Sequence, residues 1–387
     1  MRIFIAAALA MAVSAGAQAQ IKVGIILPYT GQFADGATQM DNAIKLYVKQ
    51  HGDTVAGKKL EFIRKDTGGI APDVAKRLAQ ELVVRDKVDI LTGFLLTPNA
   101  MAGGDVSAEA KKFMVVMNAA TSIITTKSPY MARTSLTTPQ LNESLGKWAA
   151  TKGGLKNAYT MVSDYGPGID AEKAFQEGFR AAGGQIAGSV HFPVANPDFS
   201  AFVQRAKDQN PQAIYVFVPG GAQPAALGKA LAERGIDTKK IKVLGQLELT
   251  DESARKAMGD VAIGMITAAH YDPNFSNPRN KDFVKAYEAD YKRTPNFFSM
   301  GGYDGMHLIY EALKKTKGNT DGEALIGAAK GMKWDSPRGP VQIDPETRDI
   351  IQTVYIQEVQ KVGGELNNVV IDKIENVKDP VKEKMKK

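Results

Sequence analysis

The chain of 387 residues contains no cysteine. That excludes disulfides, thiolate metal sites and thiol nucleophiles at once, so folding must rest on an apolar core. Histidine is nearly as scarce. His51, His191, His270 and His307 stand far apart, and no two have the His-x-x-x-His spacing that places a ligand pair on one helix face. Each therefore reads as a packed or solvated side chain. No Gly-x-Ser-x-Gly elbow occurs. After the first 20 residues no apolar run is long enough to span about 30 Å of hydrocarbon. Metal, thiol and serine-elbow chemistry thus drop out together, and no cofactor is expected.

Two phosphate-site look-alikes also fail. Gly166-Pro-Gly168-Ile-Asp-Ala171 follows a predicted strand and opens a predicted helix, as a dinucleotide loop would. Pro167, however, stiffens the turn that should wrap a pyrophosphate, and no acidic residue closes the next strand at the usual place. Gly221 and Gly228-Lys229 are spaced two residues too far apart for a P-loop, and Ala230 stands where a hydroxyl is needed.

What is present begins with a leader. Arg2, the apolar stretch Ile3 to Val13 and the small-x-small site Ala17-Gln-Ala19 read as a signal peptide over residues 1–19 that is cleaved on export. The apolar stretch is too short for a membrane anchor, and no cysteine follows it for lipid attachment. The net charge of +7 falls to +6 without Arg2. Much of it is local to residues 373–387, a lysine-rich end expected to be a flexible tail. Elsewhere lysine and arginine are interleaved with acids, which suits small anions better than nucleic acid.

The rest alternates. Ile21 to Leu27 is a short apolar run, stopped by Pro28 and followed by an amphipathic helix from Asp35 to His51. Strands at Lys59 to Arg64, Val88 to Thr92 and Phe113 to Met117 are separated by helices at Pro72 to Asp86 and Asn99 to Lys112. The pattern restarts near Pro139, with strands from Ala158, Gln185, Ala213, Ile241 and Val261. Such alternation predicts α/β architecture, a parallel sheet covered on both faces, twice over. Two helices, a short third and two late strands (Val341 to Ile343, Thr353 to Val359) are too little for a third domain and should complete the first two.

Ligands of such sheets sit beyond the carboxyl ends of the strands. Six loops fall there: Tyr29-Thr-Gly-Gln-Phe33, Phe94-Leu-Leu-Thr-Pro-Asn99, Asn118-Ala-Ala-Thr-Ser122, Asp164-Tyr-Gly166, Pro219-Gly-Gly-Ala-Gln223 and Gln246-Leu-Glu248. Their small residues let backbone amides approach a bound group. Thr97, Thr121 and helix N-termini can hold a carboxylate without any lysine. Tyr29, Phe33, Phe94 and Tyr165 can cover an apolar or aromatic body. For any one loop, turn chemistry or packing explains the same residues.

From Ile21 to about Asp372 the sequence resembles the type I periplasmic binding proteins of ABC importers, in the branched-chain amino-acid branch. The resemblance is carried by Ile21-Lys-Val-Gly-Ile-Ile-Leu-Pro-Tyr-Thr-Gly31, the Gly93 loop with Thr97, Asn118-Ala-Ala-Thr121, Ser163-Asp-Tyr-Gly166, Asp198-Phe-Ser-Ala-Phe202 and Met300-Gly-Gly-Tyr-Asp304. It implies two Rossmann-like lobes joined by a three-segment hinge near Thr138, His270 and Pro337 to Pro340, with sheet order 2-1-3-4 in each lobe. Residues 20–138 and 271–337 would form the first lobe, and 139–270 and 338–372 the second. It implies a monomeric periplasmic receptor that closes on its ligand and delivers it to an inner-membrane permease, without catalysis.

The resemblance also assigns roles. Thr97 matches the hydroxyl that holds the ligand carboxylate, Ala120 and Thr121 the next contacts, and Tyr165 the second-lobe aromatic that closes over the ligand. Tyr29 and Phe33 would stand at the entrance, and Gly220, Gly221 and, if it turns in, Glu248 would arrive from the second lobe. Ala222 falls near a further aromatic of amino-acid binders. Those binders place a glutamate two residues after the glycine that is Gly245 here, to pair with the α-ammonium. Here Leu247 holds that place and Glu248 comes one later. An ammonium buried without a partner costs several kcal/mol. With Phe94, Leu95 and Leu96 making the carboxylate-end loop apolar, the expected ligand is a hydrophobic or aromatic acid, with a branched-chain amino acid or amide as the alternative. A sensory binding protein and an exported α/β hydrolase are the remaining readings; the second lacks a nucleophile with a nearby base.

Overall fold

The computed structural model describes residues 20–385, so the expected signal peptide lies outside the described residues. The first part of the chain runs β1 (Gln20–Leu27), α1 (Ala34–His51), β2 (Thr54–Val55), β3 (Lys58–Asp66), α2 (Pro72–Val84), β4 (Ile90–Gly93), α3 (Thr97–Ala110), β5 (Phe113–Val116) and β6 (Met131–Arg133). The second runs α4 (Thr138–Ala150), β7 (Asn157–Ser163), α5 (Gly166–Ala181), β8 (Gln185–Phe192), α6 (Phe199–Asp208), β9 (Ala213–Phe217), α7 (Gln223–Glu233), β10 (Lys242–Gln246), α8 (Glu252–Met258) and β11 (Ile266–Ala269). Then come α9 (Pro278–Tyr291), α10 (Phe297–Lys315), α11 (Gly322–Ala329), β12 (Lys333–Ser336), β13 (Gly339–Ile343), β14 (Ile350–Val362), β15 (Glu365–Val377) and α12 (Pro380–Met385).

These elements form two lobes. One sheet has the order β2-β3-β1-β4-β5-β6, and the other β12-β13-β14-β11-β10-β9-β7-β8 with β15 added on β14. Leaving out the short β2, each contains the 2-1-3-4 order that the family resemblance implies. β1 is parallel to both β3 and β4, and β7 to both β8 and β9. The central strands β4, β5 and β9 are buried throughout, which is why β5 and β9 read as unbroken apolar runs. α10 packs on α1 and α11 on β5 and β6, so the late helices complete the first lobe. The chain therefore crosses between lobes after β6, after β11 and after α11.

Two of the crossings meet at one buried side chain. Arg338, 2% exposed, donates to the Ser135 carbonyl and to Gln352 Oε1 at 2.8 Å each. It also bonds the Thr134 carbonyl and pairs with Asp304 of α10 at 2.7 Å. A guanidinium has five donors in a fixed fork, so one residue can tie three segments together.

Two parts of the sequence reading change. β2, β6, β12 and β15 were not foreseen, because each is very short or, in β15, largely exposed and rich in polar residues. The expected flexible tail at 373–387 is structured as far as it is described: β15 runs to Val377, and α12 follows. Three of its described lysines pair with acids far away in sequence, Lys378 with Asp344, Lys382 with Asp349, and Lys384 with Glu143 and Glu177. No described helix is long and apolar enough to cross a membrane.

Candidate functional site: a closed cleft between the lobes

Both lobes aim the carboxyl ends of their strands at a cavity of ≈ 50 Å³. From the first lobe it is lined by Phe33, Leu95, Leu96, Thr97, Asn118 and Ala120, with Phe298 at the start of α10 and Thr138 at the start of α4. From the second it is lined by Tyr165, Pro167, Phe217, Pro219, Gly220, Gln246 and Glu248. A larger groove of ≈ 620 Å³ lies on the outer side of α4, between it and the β15–α12 segment, away from these strand ends.

Local sequence explains how the polar groups come to face the cavity. The N-cap residue of α3 is Leu96, and that of α5 is Tyr165; neither side chain caps its helix. The first-turn amides of both helices are left without a side-chain partner, and Pro98 and Pro167 suit the first turn. Two helix N-termini, one per lobe, thus open on the site with the positive ends of their dipoles. Thr97 Oγ1 lies 3.2 Å from Thr121 Oγ1. Asn118 donates from Nδ2 to the Leu95 carbonyl at 2.8 Å, while its Oδ1 and the Thr138 hydroxyl have no protein partner. No lysine, arginine or histidine is among the described residues lining the cavity. An anion here would be held by neutral donors.

Glu248 is the one lining acid. A relay fixes it: Tyr215 OH donates to Asn142 Oδ1 (2.6 Å), Asn142 Nδ2 to Gln246 Oε1 (2.7 Å), and Gln246 Nε2 to both Glu248 oxygens (2.9 and 3.0 Å). Burial pushes its carboxyl up to about 7, against the opposing pull of its hydrogen bonds; Asp251 adds a small further rise. Tyr165 and Tyr215 also feel its charge. An unfolded glutamate titrates near 4.5. Between those values the folded chain keeps a proton that the unfolded chain has lost, so Glu248 costs stability as pH rises through the window. Glu248→Gln should therefore be more stable than the parent at pH 8 and close to it at pH 4.5. Urea unfolding at both pH values checks this, and a stability difference that did not grow with pH would contradict it.

All six predicted loops reach the cavity, but not every predicted residue does. Phe33, Leu96, Thr97, Ala120, Tyr165, Gly220 and Glu248 line it. Thr121 stands just behind, through its bond to Thr97. Gly221 does not line it. Its positive φ of 97° and its approach to the Gln32 carbonyl let the second-lobe loop close on the first lobe. Tyr29 is drawn toward Asp41, which Arg64 also binds, and stays off the cavity. Phe94 sits at φ 58° with its ring against Gly103 of α3, in the core behind the loop. Leu247 is 4% exposed and belongs to the main core. A 3-10 turn over Leu247–Thr250 turns Leu247 inward and brings Glu248 to the cleft, so the one-residue offset does not remove the acid from the site.

Several lining residues escaped the sequence reading. Asn118, Pro219 and Gln246 sit inside loops already singled out, and Leu95 was named only for the apolarity of its loop. Thr138, Pro167 and Phe217 flank predicted element ends. Phe298 had no local signal, since it comes from a helix start about 200 residues after the first of those loops.

The comparisons agree with this geometry. The family model for periplasmic binding proteins matches residues 20–364. The chain belongs to that family. A Leu/Ile/Val-binding protein homolog from Brucella melitensis is 40% identical over 377 residues, 97% of this chain and 96% of its own. A solute-binding protein of an ABC transporter from Rhodopseudomonas palustris, solved with 3,4-dihydroxybenzoic acid, is 52% identical with a TM-score of 0.90, covering 94% of this chain and 99% of that one. A second from the same species, solved with 4-hydroxybenzoate, is 40% identical at the same TM-score and coverage. This periplasmic binding protein is thus a two-lobe, type I member and a solute-binding component of an ABC transporter.

Proposed function

We propose that the protein captures a small aromatic carboxylate carrying a ring hydroxyl, in the periplasm, and presents it to a membrane permease without chemical change. The observation that carries this reading is the polarity of the cleft. Thr97, Thr121 and the uncapped N-terminus of α3 form a cation-free carboxylate seat in the first lobe. Phe33, Leu95, Leu96, Phe217 and Phe298 make apolar walls, and Glu248 supplies a single acceptor from the second lobe. A ring hydroxyl can donate to that acceptor. The 52%-identical relative bound to a dihydroxybenzoic acid supports the same class. The protein works as a monomer, and nucleic acid is no partner.

The moving bodies are residues 20–138 with 271–337, and 139–270 with 338–372. The bonds of Trp334 and Ser336 to Asp304 of α10 support a boundary at 337, although β12 pairs with β13 in the second sheet. Closure requires the ligand to favour the closed form over the open one.

Glu248 also supports a second reading, since an acid in the cleft can pair with the ammonium of a branched-chain amino acid. Titrating intrinsic fluorescence with 4-hydroxybenzoate, benzoate and leucine separates the two. The aromatic reading expects 4-hydroxybenzoate to bind best and Glu248→Leu to erase its advantage over benzoate. Tight leucine binding with no response to either aromatic acid would overturn it. Thr97→Val should weaken the acid by about 1–3 kcal/mol, as loss of a hydrogen bond to a charged group does. Calorimetric titration of the variant measures this loss directly.

A further inference from the structure

The family match ends at residue 364, yet the described chain continues through β15 and α12. That extension is tied into both lobes. Gln140 at the start of α4 donates to the Val377 carbonyl at 2.9 Å, where β15 ends. Beyond it, Asp379 accepts from Ser122 Oγ at 2.5 Å and caps α12 through the amides of Val381 and Lys382. Lys382, largely buried, pairs with Asp349 at 2.6 Å and bonds the Thr125 hydroxyl. Ser122 and Thr125 belong to the first lobe. Lys384 reaches the other way, to Glu143 of α4 at 2.9 Å and Glu177 of α5 at 2.7 Å.

The buried end of this set continues to the ligand-facing loop. Asp349 Oδ1 accepts from Arg133 Nε (3.0 Å) and Nη2 (2.7 Å). Arg133 is fully buried and donates from Nη1 to the carbonyls of Ala119 (3.0 Å) and Thr121 (2.8 Å). These two residues bracket Ala120, which lines the cleft, and Thr121 holds Thr97. The same loop touches the second lobe, where the Ser122 amide donates to Asp170 of α5 at 3.4 Å. A cation on the C-terminal segment thus completes a ladder Lys382–Asp349–Arg133 whose last rung fixes the backbone of the carboxylate seat. Removing Lys382 leaves Asp349 with one cation where the fold supplies two, and leaves the Asp379–Ser122 bond as the tie of α12 to the first lobe.

We propose that residues 378–385 form an interlobe strap, with Lys382 a positioning residue that holds the 119–122 loop in its ligand-facing shape and favours the closed lobes. Only its affinity arm rests on the aromatic-acid reading. A brace that favours the closed form acts on its lifetime, so its loss is expected mainly in the dissociation rate. The test uses the full mature chain, a version ending at Val377, and Lys382→Met, with Lys384→Ala as the milder, exposed-end variant. Three measurements are made on each: dissociation of 4-hydroxybenzoate by stopped flow, solution scattering of the ligand-free protein, and urea unfolding.

The strap predicts roughly tenfold faster dissociation for the truncation and for Lys382→Met, a smaller change for Lys384→Ala, and a ligand-free particle shifted toward the open form. Lower stability with unchanged dissociation and unchanged scattering would reduce the segment to an ordinary stabiliser and overturn the proposal. If the truncation does not fold, Lys382→Met decides alone. If the parent itself fails to bind the aromatic acid, the ligand reading falls, while the scattering comparison still tests the strap.

Discussion

Replacing Arg338 by methionine should lower the unfolding free energy by about 3–5 kcal/mol, the range for breaking a buried ion pair from one side. The substitution strands the Asp304 carboxylate, which is 1% exposed, and leaves the Thr134 and Ser135 carbonyls without that donor. Ser336 and Trp334 still bond Asp304, so it keeps neutral donors but loses its cation. Arg338 is 2% exposed, and this burial pushes its guanidinium below the usual range, against the opposing pull of Asp304. Urea unfolding at pH 7 measures the loss. A drop under about 1 kcal/mol would mean that water or local rearrangement replaces the pair. Lysine should not rescue the hinge, because a single ammonium cannot reproduce the fork that meets Ser135, Gln352 and Asp304 together.

A second large effect is expected at Gly168, in the first turn of α5. A methyl placed there would collide with the backbone carbonyl of Ser163, where no side chain can move aside. α5 must then shift, at a cost of about 1–3 kcal/mol or more. It carries Tyr165 and Pro167 away from the cleft as it moves. Gly168→Ala should therefore lose both stability and affinity, the latter by roughly tenfold or more, since 1.4 kcal/mol is tenfold. Gly178→Ala provides the contrast. Its methyl would meet the Glu143 carbonyl of α4, on a face remote from the cavity. It should lose comparable stability while keeping ligand affinity. Parallel unfolding and binding titrations distinguish the two, and equal affinity losses at both glycines would refute the placement of α5 as a site element.

Much of the site was legible because strand-end loops are a consequence of alternation. Once strand and helix alternate with short connections, the loops after β1, β4, β5, β7, β9 and β10 must gather at one edge of each sheet, whatever residues they hold. Thr97, Ala120 and Tyr165 could be named on that basis together with the family resemblance. The errors lie where a side chain's direction depends on one backbone angle. Phe94 is in the right loop, but its left-handed backbone sends the ring into the core. Leu247 was expected at the ligand together with Glu248, but a 3-10 turn advances the chain about 120° per residue, so Glu248 faces the cleft and Leu247 the core.

The basic end shows the same division from another side. Read along the sequence, a run of lysines after Val377 repels itself and suggests a solvated tail. In the fold, Asp344, Asp349, Glu143 and Glu177 converge on it from three separate stretches. Sequence periodicity, apolar runs and turn residues are local, and they determined the two α/β units and the loops at their strand ends; the sheet order came from the family resemblance. Burial, helix-end direction and charge pairing depend on residues distant in the chain. Only the tertiary structure decided that Glu248 enters the cleft, that Phe298 closes one wall, and that the C-terminal lysines reach back to both lobes.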